Sequence, residues 1–452
     1  MGRGDGTTDF RTTVRQFLAL ERDVLVLSIA MFAFSLGFQM TSRYVPRYMS
    51  VLGAGAVAIG LFGTFGNVLS AVYPYPGGAI SDRIGSRFAL TLFGLASTVG
   101  FLFWLFADLF GTVTIPPIGA TIELLNREIV IGWLEPATLP VGIFLGLIFA
   151  QAWKSLGLGG TFAIVKQAVD PDQLATGFAS TETVRRAAFL LGPLFAAGVL
   201  TVFAFETGFR ILLAVAAALG LGATLAQHFL YEASGDSLGK SFGGLSTVVA
   251  DLRAMPAELR PLLAADTLVR FGNGMVYVFF VIVVTEFLSV GVRLPIVGRL
   301  SPDAYFGVLL AIEMLVALLI MLPISRLSHR IGLKPVVALG FAVYAVFPVV
   351  LINAPESASA LAILFAFSGL RFAGLPAHKA LIVGPAEAGT GGRVTGSYYF
   401  VRNVVVIPSA AVGGAIYAVS PVTAFTISSA VGLVGLGLFL IFGREFEPAV
   451  TG

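Results

Sequence analysis

The sequence predicts an all-α membrane protein of twelve transmembrane helices arranged as two pseudo-symmetric six-helix bundles. Three observations carry that prediction. The composition is too apolar for a soluble globule, twelve apolar stretches have spanning length, and a sequence pattern recurs between the halves. Of 452 residues, 57% are hydrophobic and 12% charged, and mean hydropathy is +0.92. A soluble domain carries roughly 25% charged residues, so too little polar surface remains to cover a globule of this size. Disorder is excluded as well, because it needs low hydrophobicity and high charge. A formal net charge of +3, with no clustered basic face, excludes nucleic acid as a partner.

Crossing about 30 Å of hydrocarbon takes about 20 predominantly apolar residues. The stretches that meet this are 24–44, 55–79, 88–110, 140–164, 175–203, 208–231, 261–287, 304–325, 334–353, 357–381, 393–418 and 422–443, numbered here as spans 1 to 12. Glycine and proline are scattered through them, as membrane helices that pack closely allow. The longest polar stretch between spans, 232–260, follows span 6 and reads as a cytoplasmic linker. It separates an N-terminal bundle (1–231) from a C-terminal bundle (261–452).

Lys and Arg in the loops set the orientation. With both termini in the cytoplasm, 16 lie inside, from Arg3 to Arg444, and 5 outside: Arg47, Arg127, Arg210, Arg293 and Arg299. The expected location is a plasma membrane. The first residues are polar, and nothing like a cleavable signal precedes span 1.

The halves repeat. Arg83-Ile84-Gly85 after span 2 recurs as Arg330-Ile331-Gly332 after span 8, 247 residues on. Ser180 and Val184-Arg185 in span 5 recur as Ser397 and Val401-Arg402 in span 11, 217 residues on. The shorter second offset demands a 30-residue insertion in the first half. Residues 110–139 are the place for it, on the outer side, with a small hairpin around Asn126-Arg127. Charges at Glu123, Arg127, Glu128 and Glu135 argue against a further span.

The loop after span 2 reads Gly78-Ala79-Ile80-Ser81-Asp82-Arg83-Ile84-Gly85-Ser86-Arg87. It resembles the G-x-x-x-D-R-x-G-R-[RK] signature of the major facilitator superfamily, with only the first basic position of the closing pair lost, to Ser86. The copy after span 8 is degenerate, with Ser325, His329 and Leu333 at three signature positions. The resemblance covers essentially the whole chain. It implies that Gly78, Asp82, Arg83, Gly85 and Arg87 form a cytoplasmic latch. Two weaker likenesses follow. Lys154-Ser155-Leu156-Gly157 in span 4, with Arg371 its repeat equivalent in span 10, resembles a basic motif assigned to coupling in proton-linked members. Gly192-Pro193 followed by Gly198 in span 5 partly resembles the Gly-Pro motif of drug antiporters, with Ala196 and Ala197 in place of its two glycines.

Ionisable residues at bilayer depth are functional candidates by default. The deep cations are Lys154, Arg185, Arg186, Arg270, Arg371 and Arg402, and the deep acids Glu182, Asp266 and Glu313. Lys154 and Arg371 are expected to face a central cavity, with Gln151, Trp153, Asn67, Asn273 and Tyr277 shaping it. Arg185, Arg402, Arg270 and Asp266 have bland readings as structural charges, and Asp266 lies one turn before Arg270. Glu182 stands near Arg185 in the same way, and is the second candidate for coupling. Glu313 has no cation on its own span. It must pair across helices, be protonated or line water, and its expected role is proton coupling or an interhelical ion pair with Arg270.

Catalysis finds no foothold. Cysteine is absent, His228, His329 and His378 are far apart, and no phosphate loop or nucleophile elbow occurs, so neither a metal site, a cofactor nor an ATP-driven pump is expected. The resemblance implies a monomeric secondary transporter working by alternating access on a small organic solute, with protons as the coupling partner and export favoured. The alternatives are proton-coupled uptake of an organic anion and a non-transporting sensor on the same scaffold.

Overall fold

The computed structural model describes residues 22–124, 127–134, 136–156, 174–231, 256, 259–295, 298–372, 374–384 and 391–445. Helix stands at each of the twelve stretches read from hydropathy. Among the described residues nine helices are long and apolar enough to cross a membrane, and ten if Leu25–Thr41 and Val45–Val51, bent by 40°, make one span. Two shorter apolar helices, Ala56–Val72 and Val141–Leu156, occupy the positions of spans 2 and 4. Span 2 resumes beyond Tyr73 as Pro74–Ile84, because proline starts a helix without needing its missing N–H. Large apolar side chains such as Leu109, Val202, Phe229, Ile363 and Val419 are fully on the outer surface, as a lipid-facing wall requires.

Packing repeats between the halves. Span 1 packs on spans 5 and 6, and span 7 on spans 11 and 12; span 3 packs on spans 4 and 6, and span 9 on spans 10 and 12. The halves meet along two symmetric seams, span 5 against span 8 and span 2 against span 11. Glycine sets the second seam. A Cβ on Gly60 would sit 2.5 Å from the Ala410 carbonyl oxygen and 2.9 Å from Gly414 Cα, so only a hydrogen lets these backbones approach.

The repeated loop has the same backbone twice. Gly85 (φ +82°) and Gly332 (φ +90°) each join two helices in a conformation that a side chain would strain. Arg87 and Lys334 are also equivalent: Arg87 Nε donates to the His228 carbonyl at 2.6 Å and Lys334 Nζ to the Leu440 carbonyl at 2.9 Å. Both cap the C-terminal end of the last helix of their own half, where cations complement the dipole.

The insertion is β-structure. Strands β1 (Thr112–Ile115) and β4 (Ala137–Pro140) pair antiparallel as a stalk. Between them β2 (Ile118–Leu124) and β3 (Arg127–Leu134) form a hairpin. The matching place in the second half, 353–357 between spans 9 and 10, holds no strand; a short hairpin, β5 (Val292–Leu294) with β6 (Gly298–Leu300), stands instead between spans 7 and 8.

Candidate functional site

Cross-half polar contacts gather at the end that carries the hairpin. The Tyr44 hydroxyl donates to the Asp303 carbonyl at 3.0 Å. Arg47 bonds Asp303 at 3.2 Å and Glu286 at 2.5 Å, and Ser50 reaches the same Glu286 oxygen at 2.7 Å. Beneath this roof lies a cavity of about 480 Å³ between the halves. Its N-terminal wall is polar: Gln39, Arg43, Asn67, Gln151, Lys154, Arg185 and Arg186. Its C-terminal wall is apolar: Phe280, Phe306, Met314, Leu318 and Met321. Four cations and no carboxylate line it among the described residues.

A second chamber of about 370 Å³ adjoins it, lined by Arg270, Asn273, Tyr344, Arg371, Arg402 and Asn403, with Gly63 and Asn67 from the first half. Tyr277 borders both spaces. The Arg43 guanidinium lies 4.0 Å from its ring centroid and that of Arg371 lies 5.9 Å away, so the ring stands between two cations, an attractive cation–π arrangement. Tyr277 opens a 3₁₀ turn, Tyr277–Phe279, that interrupts span 7 after Gly272-Asn273-Gly274. Such mid-helix turns mark functional hinges.

Lys154 and Arg371 both sit on irregular turns. Lys154 lies in a π turn, Ala152–Leu156, and Arg371 in a 3₁₀ turn, Leu370–Phe372, beyond which Pro376 opens the next helix segment. Their surroundings differ. Lys154 is exposed to the main cavity, and no carboxylate pairs with it among the described residues. Arg371 is sealed, its side chain 2% exposed, and it pairs with Glu313, which is equally buried. Ser368 donates to the same Glu313 oxygen at 3.1 Å. The partner of Glu313 is therefore Arg371 of span 10 and not Arg270 of span 7, because span 10 packs directly on span 8.

Arg270 instead belongs to a cluster around Asp266, which is wholly buried. Arg270 Nε lies 3.3 Å and Arg402 Nη1 3.2 Å from its oxygens. Tyr398 donates to it at 3.2 Å, and His378 Nε2 is 3.4 Å away. Arg270 Nη1 also donates to the Tyr344 hydroxyl at 2.8 Å, and Arg402 holds Asn403 Oδ1 through Nε and Nη2. The bland reading of Asp266 and Arg270 fits this network, yet both arginines also face the second chamber.

Of the cavity candidates, Asn67, Gln151, Lys154 and Tyr277 line the main cavity, and Asn273, Arg371 and again Asn67 and Tyr277 the second chamber. Trp153 does neither. It is 3% exposed and stacks on Phe34 with centroids 4.4 Å apart, inside the core of the first half. Adjacent helical residues point about 100° apart, so Lys154 and Trp153 cannot share a face. Arg185, read as structural, lines the main cavity instead. Arg43, which the sequence places toward the outer end of span 1, is a cavity cation as well. In the loop after span 2, Arg83 is exposed, and Arg87 binds within its own half. The side chains of Asp82 and Glu182, and the surroundings of Gly78, lie outside what is described. His378 and Tyr398 went unread in the sequence; a lone histidine in an apolar span was their one signal.

No family model matches the chain. A protein of Methanocaldococcus jannaschii described as an uncharacterized MFS-type transporter is 21% identical over 94% of this chain and 95% of its own length. A crystal structure of the nucleoside transporter NupG superposes with a TM-score of 0.70 at 14% identity, covering 93% of this chain and all of that one. A POT family transporter in complex with 5-aminolevulinic acid gives a TM-score of 0.69 at 14% identity, covering 95% and 99%. The chain has the major facilitator fold, and its resemblance to that superfamily runs through its whole length.

Proposed function

We propose that this chain, a major facilitator fold with a cationic cavity between its halves, is a secondary transporter that moves a small organic solute by alternating access. The observation that carries the reading is the cavity at the seam of two pseudo-symmetric bundles, roofed at the hairpin end by Tyr44, Arg47 and Ser50 against Glu286 and Asp303. With the termini in the cytoplasm of a plasma-membrane protein, that end is the outer one, and the roof is the outer gate in its closed state. Rocking of the bundles about the span 5–8 and span 2–11 seams would open it and close the opposite end.

Four cations on one wall favour a solute bearing an anionic group, and the apolar opposite wall favours an organic body. Proton coupling falls to Glu313. Its carboxylate pairs with Arg371 across spans 8 and 10, so a rearrangement of the bundles that parts the two would change what the carboxylate meets. The partial Gly-Pro likeness at Gly192-Pro193 favours export. Uptake of an organic anion with protons is the second reading, favoured by the cation-lined wall.

Flux in proteoliposomes tests both layers. Solute movement without ATP is the expected result, and a protein that binds the solute but moves none is a sensor. Glu313→Gln should keep exchange of solute down its own gradient and lose accumulation driven by a pH gradient. Persistent proton-driven accumulation in the folded variant would remove Glu313 from coupling.

A further inference from the structure

The second chamber is more than an annex of the main cavity. We infer that it is an anion site, built for one oxyanion or carboxylate group, with Arg371 Nε as its principal donor. Arg371 is 3% exposed, and its Nε has no hydrogen-bond partner among the described residues although it lines the chamber. An unpaired buried guanidinium donor is costly; an acceptor arriving in the chamber removes that cost.

Charge leads to the same place. Three guanidinium groups, Arg270, Arg371 and Arg402, border the chamber. Their carboxylate partners are two, Asp266 and Glu313. The other titratable neighbours, Tyr344, Tyr398, Tyr399 and His378, add no negative charge as neutral groups. Among the described residues one positive charge is left over, so a single anionic group completes the balance. Arg402 has all three nitrogens engaged by Asp266 and Asn403, whereas Arg270 commits only Nε and Nη1. The ligand is thus held by Arg371 Nε and the remaining edge of Arg270, with Asn273 beside them. Tyr277 stands at the border of the two spaces with Gly63, Asn67, Val278 and Phe372, and the turn in span 7 that it opens is where that border would move.

Carboxylate chemistry can reach the site from two sources: a free small anion, or the head of an organic acid whose body lies in the main cavity. The site itself does not rest on the transport reading, because binding in detergent needs no flux.

The test uses purified full-length protein and the probes acetate, phosphate and octanoate at constant ionic strength. Acetate and phosphate should raise the melting temperature of the wild type. Asn273→Asp places a carboxylate in the chamber, and should be more stable at low salt and unresponsive to either anion. Saturable binding of radiolabelled acetate to the wild type, displaced by phosphate, is expected whatever the variants do. Absence of saturable binding overturns the site, and so does an anion response that Asn273→Asp retains in full. Octanoate separates the sources. Gly66→Val narrows the main cavity where a Cβ meets only Leu147 at 3.9 Å; an octanoate response that it weakens assigns the carboxylate to an organic acid spanning both spaces. An octanoate response that it leaves unchanged assigns the site to free anions, and either result upholds it.

Discussion

Lys154 and Arg371 occupy the same position of the internal repeat and both stand on irregular turns, yet their electrostatic situations are opposite. The first half turns its cation into the open cavity with no carboxylate beside it among the described residues. The second half locks its cation onto Glu313 in a pair with almost no exposure. Of the second repeat pair, Arg402 is anchored to Asp266 and Asn403, and Arg185 borders the large cavity. Repeat symmetry therefore fixed where cations stand, and the acids of the second half decided what they do. One half offers charge to a visitor, and the other holds charge in a network that can be switched.

The largest effect should come from breaking that network. Arg371→Met leaves Glu313 buried without its cation, and removing one partner of a buried ion pair costs about 3–5 kcal/mol. Arg371→Met combined with Glu313→Leu replaces the pair by apolar groups and should recover most of the loss. Thermal unfolding of both proteins checks this, and a double variant as unstable as the single one would mean that packing, not charge, is responsible.

Lys154→Gln should be the reverse case. The side chain is exposed to the cavity, so stability should change by no more than about 0.5 kcal/mol. Binding of an anionic solute should fall about tenfold, the equivalent of about 1.4 kcal/mol. Calorimetric titration reads the affinity; unchanged affinity with lost stability would make the two halves alike after all.

This asymmetry marks what the sequence could and could not convey. Twelve apolar stretches were legible because the demand for about 20 apolar residues is independent of what each helix packs against. The twin loops were legible because Gly85 and Gly332 are needed by the backbone itself. The hairpin was legible from an offset between two repeat pairs. The facing of side chains was not. Span 4 is apolar all round, so no stripe distinguishes Trp153 from Lys154, and the π turn shifts the register locally. The partner of Glu313 was equally hidden. By depth Arg270 stands near mid-membrane with Glu313, and Arg371 somewhat toward the cytoplasm, which favours the wrong partner; only the packing of span 10 on span 8 selects Arg371.

A smaller effect is expected at the loop after span 2. Arg87 and Lys334 bind carbonyls within their own halves, which leaves Asp82 as the signature residue proposed to act between halves when the cytoplasmic end closes. Asp82→Asn should fold with wild-type stability and transport more slowly. Wild-type transport in a folded Asp82→Asn protein would reduce the loop to a helix cap in both halves and erase this difference between them.

The smallest effect belongs to the insertion, the one element that the second half lacks at comparable size. Its strands pair with each other, β1 with β4 and β2 with β3, and β4 rests on spans 2 and 4, so the β2–β3 hairpin stands beyond the packed base. A substitution at its tip should leave stability and flux untouched, because surface changes away from packed or charged features usually stay within about 0.5 kcal/mol. The tip can then report topology. Cysteine is absent from the chain, so Asn126→Cys introduces a unique thiol between the β2 and β3 segments of the sequence. Reaction with an impermeant maleimide on intact cells is the expected outcome, since the loops on that side hold 5 of the Lys and Arg residues against 16 on the other. Labelling that required permeabilised cells would invert the molecule. The Tyr44, Arg47 and Asp303 roof would then be the cytoplasmic gate.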